Sequence, residues 1–104
     1  MITTEQLETF RAKLETHCKK LFSEMGFFFD PPTIEIQPSR KYARIVRKFG
    51  SAPHASAYGF IEMETGNIYY PAGWKAPQKN HVRGNILLDN CLDCCGWSAV
   101  KTLR

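Results

Sequence analysis

The clearest pattern in the chain is a run of apolar residues at helical spacing in its first quarter. These residues are Leu7, Phe10, Leu14, Cys18, Leu21 and Met25. Thr3 is placed to cap a helix and Gln6 to bond back to the cap, while Ile2 and Leu7 occupy the positions of a hydrophobic staple. Gly26 is placed to end the helix in a left-handed turn. The pattern predicts a helix from Thr4 to Met25.

The rest of the chain has short segments of strand character separated by turn residues. The predicted strands are Thr33–Gln37, Lys41–Phe49, Ala55–Glu64 and Asn67–Tyr70. Thr65-Gly66-Asn67 predicts a tight hairpin, because these residues tolerate a positive φ. Residues 73–90 show no clean period, and within them Val82, or Ile86–Leu88, is assigned either one helical turn or a short strand. Residues Gly96–Leu103 are expected to return as an edge strand.

A helix with one apolar stripe needs a partner surface, which a sheet supplies. We therefore predict an α+β fold in which one N-terminal helix packs on an antiparallel β meander of about four or five strands. The chain, 1–104, is expected to form a single domain, with the helix in 1–26 and the sheet and a motif loop in 33–104. No apolar run approaches the ~20 residues needed to cross a membrane. With Glu5 in an amphipathic start that does not resemble a secretory leader, we expect a cytoplasmic protein with no membrane partner.

The positive charge lies in the middle of the chain. The formal net charge is +4, and residues 1–26 hold four acids and four bases, which cancel. Residues 38–85 hold eight bases against two acids. A clustered positive field attracts phosphates and other anions. The alternative is a solvated basic face that aids solubility.

Residues 73–86 form the most unusual segment, which combines aromatic, cationic and amide side chains in a loop-like stretch. Its candidate ligand-binding residues are Trp74, Lys75, Lys79, His81, Arg83 and Asn85. Trp74 suits stacking on a base, and the cations suit phosphate, with Arg83 the better bidentate donor. The structural alternatives are that Trp74 plugs the core, that Arg83 pairs internally and that Asn85 only holds a turn.

A second basic stretch, residues 40–48, adds Arg44 and Arg47 to the candidate ligand-binding residues. Strand alternation places these two arginines on opposite faces unless a bulge intervenes. Nearby aromatic residues either form a stacking platform with the bases or pack the sheet, and packing is favoured. They are Tyr42, Tyr58, Phe60, Tyr69 and Tyr70.

Cys91-x-x-Cys94 has metal-ligand spacing and His81 lies near it, but the second pair of a zinc finger is missing. We therefore expect reduced thiols, no metal and no cofactor. Catalytic patterns are scarce: Glu62 and Glu64 suit a surface pair, and the chain has no phosphate-binding glycine loop and no serine elbow. Cys94 with a histidine does not by itself define a nucleophile and base. We expect a binding protein rather than an enzyme.

Four short motifs follow one another in residues 58–86: Tyr-Gly-Phe-Ile, Thr-Gly-Asn-Ile-Tyr, Pro-Ala-Gly-Trp-Lys-Ala-Pro and Arg-Gly-Asn-Ile. Their order and spacing resemble a family of small proteins of tailed bacteriophages with Trp-Lys-x-Pro and Arg-Gly-Asn-Ile motifs. Arg40-Lys41-Tyr42 also fits that family, whereas the cluster Cys91–Cys95 departs from it. The resemblance implies a phage origin and a host-cytoplasm setting, but no particular activity.

These observations lead to two hypotheses. The first is a small phage accessory protein that binds an anionic ligand, either nucleic acid or a phosphorylated nucleotide, and so modulates host defence or metabolism. The second is a protein–protein modulator, in which an apolar patch or a sheet edge pairs with a host protein or with a second copy of the chain as a homodimer. Trp97 and Phe27–Phe29 are its candidate anchors.

Overall fold

A computed structural model of the protein describes residues 1–26, 32–49, 55–79, 82–89, 91–92 and 95. Within this part of the chain, one helix and five strands form in the order α1 (Thr4–Glu24), β1 (Pro32–Gln37), β2 (Tyr42–Phe49), β3 (Ala55–Glu62), β4 (Asn67–Tyr69) and β5 (Gly84–Asn85). The strands make one antiparallel sheet in the order β1-β2-β3-β4-β5. The predicted α+β fold, with one helix on a meander, is confirmed.

The first helix begins with the predicted capping box. The Gln6 backbone N–H donates to Thr3 Oγ1 at 3.1 Å, and the Thr3 N–H donates to Gln6 Oε1 at 2.8 Å. The helix ends at Glu24, and Gly26 follows with φ at +77°. The apolar stripe predicted for the helix was wrong at its C-terminal end, where Leu21 and Met25 were expected to be buried. Met25 is 54% exposed, and Phe22 is buried instead of Leu21. Steps of four residues from Leu14 through Cys18 keep Phe22 on the buried face.

The main core lies between α1 and one face of the sheet, which we call the inner face. Apolar side chains of the helix pack there on inward-facing residues of the first four strands. The helix contributes Leu7, Phe10, Leu14 and Cys18, and the strands contribute Ile34, Ala43, Ile45, Tyr58, Ile61 and Ile68. The opposite face of the sheet, the outer face, carries polar and charged side chains and the loops, together with the buried residues Val46 and Phe60.

A β-bulge decides which side chains of β2 and β3 reach the core. Ile45 lies opposite Gly59 and Val46 opposite Ala57, so Tyr58 is the extra residue on β3. The bulge lets Tyr58 turn inward, where it is fully buried and hydrogen-bonds to the thiol of Cys18. Because the extra residue lies on β3, the alternation of β2 continues unbroken.

The helix also covers the exposed edge of the sheet at β1. The Ile34 backbone N–H donates to Glu15 Oε1 at 2.9 Å, and Arg11 Nη1 donates to the Ile34 carbonyl at 3.4 Å. Arg11 is itself held by Glu8, through a 2.7 Å ion pair that lowers the pKa of the Glu8 carboxyl. These contacts occupy backbone groups that would otherwise be open to another strand.

The predicted hairpin between β3 and β4 is confirmed, with Gly66 at φ +84°. The fifth strand, Gly84–Asn85, was not predicted as such, because two residues of low strand propensity give no periodic signal. The predicted tail strand, Gly96–Leu103, lies outside the described residues. Among the described residues, no helix is both long enough and apolar enough to cross a membrane.

Candidate functional site

The outer face carries a cleft of about 420 Å³ between the loop after β1 and the loop after β4. Its lining is Gln37, Pro38, Ser39, Arg40, Lys41, Tyr42, Arg44, Phe60 and Lys75. Four of these side chains are cationic, and no carboxylate is among the lining residues that the structure describes. Phe60 is only 2% exposed and forms an apolar floor. The cleft therefore combines a positive rim with aromatic walls.

A tight loop after β4 brings Lys75 into the lining of this cleft and Trp74 against Arg44 at its border. Pro71 and Pro77 form an isolated antiparallel bridge at its base. Above the bridge, the backbone N–H groups of Ala72 and Gly73 both donate to the Ala76 carbonyl, at 3.0 and 3.3 Å. Because the base is closed in this way, the two residues at the tip are held in place.

The Arg44 side chain connects the sheet to this loop. Its guanidinium carbon lies 4.4 Å from the centroid of the Trp74 ring, within the range of a cation–π contact. Arg44 Nη1 donates to Gln37 Oε1 at 2.9 Å. The guanidinium is therefore oriented from two sides, yet no carboxylate of the described residues lies within 4.0 Å of it.

Two further ammonium groups flank the ring of Tyr42. Lys41 Nζ lies 5.7 Å and Lys79 Nζ 5.4 Å from its centroid. The Tyr42 ring is fixed by an edge-to-face contact with Tyr69, at 6.1 Å between centroids. Aromatic contacts of this kind position a cation without neutralising it.

Two carboxylates of the outer face adjoin the cleft lining, since Glu35 Oε2 accepts a hydrogen bond from Gln37 Nε2 at 3.2 Å and Glu62 lies opposite Tyr42. Neither forms an ion pair with a lining cation. Glu35 pairs with Lys48 at 3.2 Å, and this hydrogen bond lowers the pKa of the Glu35 carboxyl. Glu62 accepts a hydrogen bond from Thr65 Oγ1 at 2.6 Å, which turns it toward the hairpin. The positive rim is consequently compensated by no ion pair among the residues that the structure describes.

Four of the predicted ligand-binding residues come together on the outer face: Trp74, Lys75, Lys79 and Arg44. The alternative that Trp74 plugs the core is wrong, because this residue is 42% exposed. Of the other aromatic residues, Tyr58, Phe60 and Tyr69 are buried in the sheet as favoured. Tyr42 and Tyr70 are half-buried and contact cations. His81 lies outside the described residues.

Arg47 does not belong to the cleft, contrary to its predicted role. It lies opposite Ile34 on the inner face, and its Nη2 donates to Ser56 Oγ at 3.3 Å. Burial beneath the helix lowers its pKa. The physical reason is the unbroken alternation of β2, which places Arg44 and Arg47 on opposite faces.

Asn85 serves the hairpin rather than a ligand. Its Nδ2 donates to the Thr65 carbonyl and to Asn67 Oδ1, both at 2.9 Å, and its Oδ1 accepts from the Leu87 N–H at 2.8 Å. Both polar atoms of its side chain are thus bonded within the protein, which agrees with the alternative that Asn85 only holds a turn.

Arg83 lies beside the loop rather than in the cleft lining. Its Nη2 donates to Gln78 Oε1 at 2.9 Å, and its guanidinium carbon is 5.7 Å from the Tyr70 ring centroid. Gln78 is in turn tied to Tyr70 by a 2.7 Å backbone hydrogen bond. Arg83 therefore braces the loop that carries Trp74, which is a positioning role.

The sequence prediction missed most of the residues that line the cleft. Gln37, Arg40 and Lys41 line it, although none was among the candidate ligand-binding residues. The available signal was the start of the basic stretch next to Pro38-Ser39, where a turn brings adjacent side chains to the same end of β2.

The cysteines of the described residues are buried. Cys18, Cys91 and Cys95 all lie in the core, and burial raises the pKa of the Cys18 thiol to about 11. No group of three histidine, cysteine or acidic side chains in the described part of the chain is arranged to hold a metal ion. Cys94 and His81 lie outside that part. Buried, protonated thiols are poor nucleophiles.

Comparison with known proteins gives one match. The model of a family described as DUF7717, a family of unknown function, matches residues 2–101. The chain belongs to this family. No curated protein and no solved structure matches it. Membership in DUF7717 assigns no activity, so the function has to be inferred from the cleft itself.

Proposed function

We propose that this protein binds a phosphate-bearing ligand, either nucleic acid or a phosphorylated nucleotide, in the cleft on the outer face. The observation that carries the proposal is the set of four cations, Arg40, Lys41, Arg44 and Lys75, in a lining without a carboxylate. Like charges at one site repel one another, and an anionic ligand relieves that repulsion.

The cationic side chains of the cleft have two roles, one that orients a bound phosphate and one that attracts anions to the cleft. Arg44 is held by Gln37 and by the Trp74 ring, so its planar fork is pre-organised for a phosphate. Lys41 and Lys75 are exposed on the rim and act as mobile point charges. Such a surface attracts anions over about a Debye length, about 8 Å at physiological salt.

The resemblance to proteins of tailed bacteriophages adds a setting to this proposal. A phage accessory protein with an anion-binding cleft would act in the host cytoplasm, where nucleic acids and nucleotides are abundant. There it would modulate host defence or metabolism by sequestering or presenting its ligand.

The test compares two double variants that remove the same charge. Lys41→Ala/Lys75→Ala removes two cations from the rim, whereas Lys13→Ala/Lys20→Ala removes two exposed cations from the helix on the other face. Binding is measured at about 20 mM salt by fluorescence anisotropy of a labelled 12-nucleotide dT oligomer, and for ATP by calorimetry, because low salt strengthens phosphate contacts.

We expect the rim variant to lose about tenfold or more in affinity for whichever probe binds, since each cation contributes through a phosphate contact. The helix variant should stay within about twofold of the natural protein, because its charges lie away from the ligand. Equal losses in both variants, or no binding of either probe, would overturn the proposal.

A second candidate function rests on a different surface. Val82, Leu87 and Leu88 are 50%, 56% and 55% exposed, and Leu87 borders a groove of about 480 Å³ beside the start of α1. Exposed aliphatic residues next to a groove are typical of protein contacts. If the chain self-associates there, light scattering will show a dimer that Leu87→Ser/Leu88→Ser dissociates; a monomer at all concentrations would argue against a homodimer.

A further inference from the structure

Among the aromatic residues whose burial the structure describes, Trp74 is the most exposed. It is 42% exposed, whereas Phe60 in the cleft lining is 2% exposed. The Arg44 guanidinium lies over one face of the Trp74 ring, 4.4 Å from its centroid, so a stacking ligand would use the opposite face. An exposed tryptophan contributes little hydrophobic stabilisation to the fold, whereas a ligand that covers the ring would bury its apolar surface.

Further cations lie in the cleft and beside it on the outer face. Arg40 and Lys41 come from the loop after β1, and Lys75 follows Trp74 directly in the loop after β4. Lys79 lies farther along, against Tyr42. Proteins hold single strands with an aromatic ring next to a positively charged groove, because the phosphates bind the charges while a base stacks on the ring.

The helix offers no means of reading a duplex. Its four acids and four bases within residues 4–24 cancel, and its apolar face is buried against the inner face of the sheet. The outer face presents short loops rather than a helix that would enter a groove. In a duplex the bases are stacked on one another, so none is available to Trp74.

A site for a mononucleotide normally surrounds the phosphates with backbone N–H groups from glycine-rich turns. Here the cleft is lined by long cationic side chains, and no glycine is among the lining residues that the structure describes. The cleft therefore lacks the backbone cradle that such a site uses, and its positive charge comes from side chains alone.

We infer that the ligand of this cleft is a single-stranded nucleic acid, one base of which stacks on Trp74 while its backbone phosphates lie against Arg40, Lys41 and Lys75. This inference rests on the proposed function, which it narrows to one class of ligand. Stacking is tolerant of base identity, so the expected binding has little sequence preference.

The test uses a Trp97→Phe background, which leaves Trp74 as the only tryptophan, since the chain has two. The probes are a dT 12-mer, an rU 12-mer, an abasic 12-mer with the same phosphates, a 12-base-pair duplex and ATP. Tryptophan emission reports stacking, and anisotropy of labelled oligomers reports affinity for the variants Trp74→Ala and Trp74→Phe.

We expect dT or rU to quench the emission in a saturable way, and the abasic oligomer to bind without comparable quenching. Trp74→Ala should weaken dT binding by about tenfold and Trp74→Phe by less. Because Trp74→Ala also releases Arg44, binding of the abasic oligomer should fall too, but by clearly less than binding of dT. Circular dichroism checks that both variants fold, and the phenylalanine variant keeps the test valid if the alanine variant does not.

Equal binding of dT and abasic oligomers, with no effect of Trp74→Ala, would overturn the inference but leave the anion-binding function intact. Tighter binding of the duplex or of ATP than of either single strand would also overturn it and assign another phosphate ligand to the cleft. Failure of every probe to bind would remove both the inference and the proposed function.

Discussion

Replacing Gly66 by alanine tests the hairpin that joins β3 to β4. Gly66 has φ at +84°, in the left-handed region that costs an L-residue about 1–2 kcal/mol. An added Cβ would also lie 3.0 Å from Ile2 Cδ1, 3.1 Å from Asn85 Oδ1 and 3.3 Å from Ile86 Cγ1. The two isoleucine atoms are able to move, but Asn85 is fixed by its hydrogen bonds to Thr65, Asn67 and Leu87.

Overpacking of this kind typically costs a further 1–3 kcal/mol or so, which brings the expected loss for Gly66→Ala to about 2–5 kcal/mol. For a domain of this size, each kcal/mol lowers Tm by about 4–8 °C, so a drop of roughly 10–20 °C or more is expected. The free energy of unfolding is measured by urea denaturation, with Tm from calorimetry.

Two other glycines separate the backbone cost from the packing cost. Gly26 has φ at +77° but no atom within 4 Å of an added Cβ, so Gly26→Ala should cost only the backbone share, about 1–2 kcal/mol. Gly73 has neither a positive φ nor a neighbour within 4 Å, and Gly73→Ala should change stability by less than about 1 kcal/mol. If Gly66→Ala cost no more than Gly26→Ala, the described packing around the hairpin would be wrong.

Three further predictions address the site, the turn and the core. Lys75→Ala should make the slope of log affinity against log salt for a dT 12-mer shallower by about 0.7, measured from 20 to 200 mM salt, whereas Arg47→Lys should leave it unchanged. Asn85→Ala removes three hydrogen bonds and should lower the free energy of unfolding, measured by urea denaturation, by about 1–3 kcal/mol. The folded variant should bind the oligomer with unchanged affinity, and a loss of affinity would show that Asn85 contacts the ligand. Because burial raises the pKa of Cys18 from 9.0 to about 11, the unfolded chain loses this proton first as pH rises. Stability should therefore fall between pH 9 and 11, and Cys18→Ala should remove about 2–3 kcal/mol of that fall; identical pH profiles for the two proteins would contradict the burial of the thiol.

The elements with a strong local pattern were predictable from the sequence. The capping box at Thr3 and Gln6 and the apolar stripe through Cys18 define α1, and turn residues around Gly66 define the hairpin. What the sequence did not indicate was β5, since the pairing of Gly84–Asn85 with β4 depends on contacts between distant parts of the chain. Local propensity carries no information about such pairing.

The site was predictable only in part, for a related reason. Trp74, Lys75 and Arg44 were singled out by residue type, and alternation already separated Arg44 from Arg47. That the loop after β4 folds back over β2 was not visible, because it depends on the bridge between Pro71 and Pro77 and on the contact between Arg44 and Trp74. Arg40 and Lys41 were missed although a local signal existed, the turn at Pro38-Ser39 at the start of the basic stretch.

The two faces of the sheet differ in role: the inner face packs the main core, and the outer face carries the cleft proposed to bind a ligand. The side chains that hold the fold together, from the helix stripe to Tyr58, lie on the inner face, and the bulge on β3 directs Tyr58 there without disturbing β2. On the outer face, Phe60 is buried while Trp74 and the cations around it are left uncompensated. The exposed part of Trp74 and the concentration of cations do not stabilise the fold, and features that a stable fold does not need are expected where a protein binds something. Changes at Lys41 and Lys75 should therefore alter binding while leaving the free energy of unfolding almost untouched.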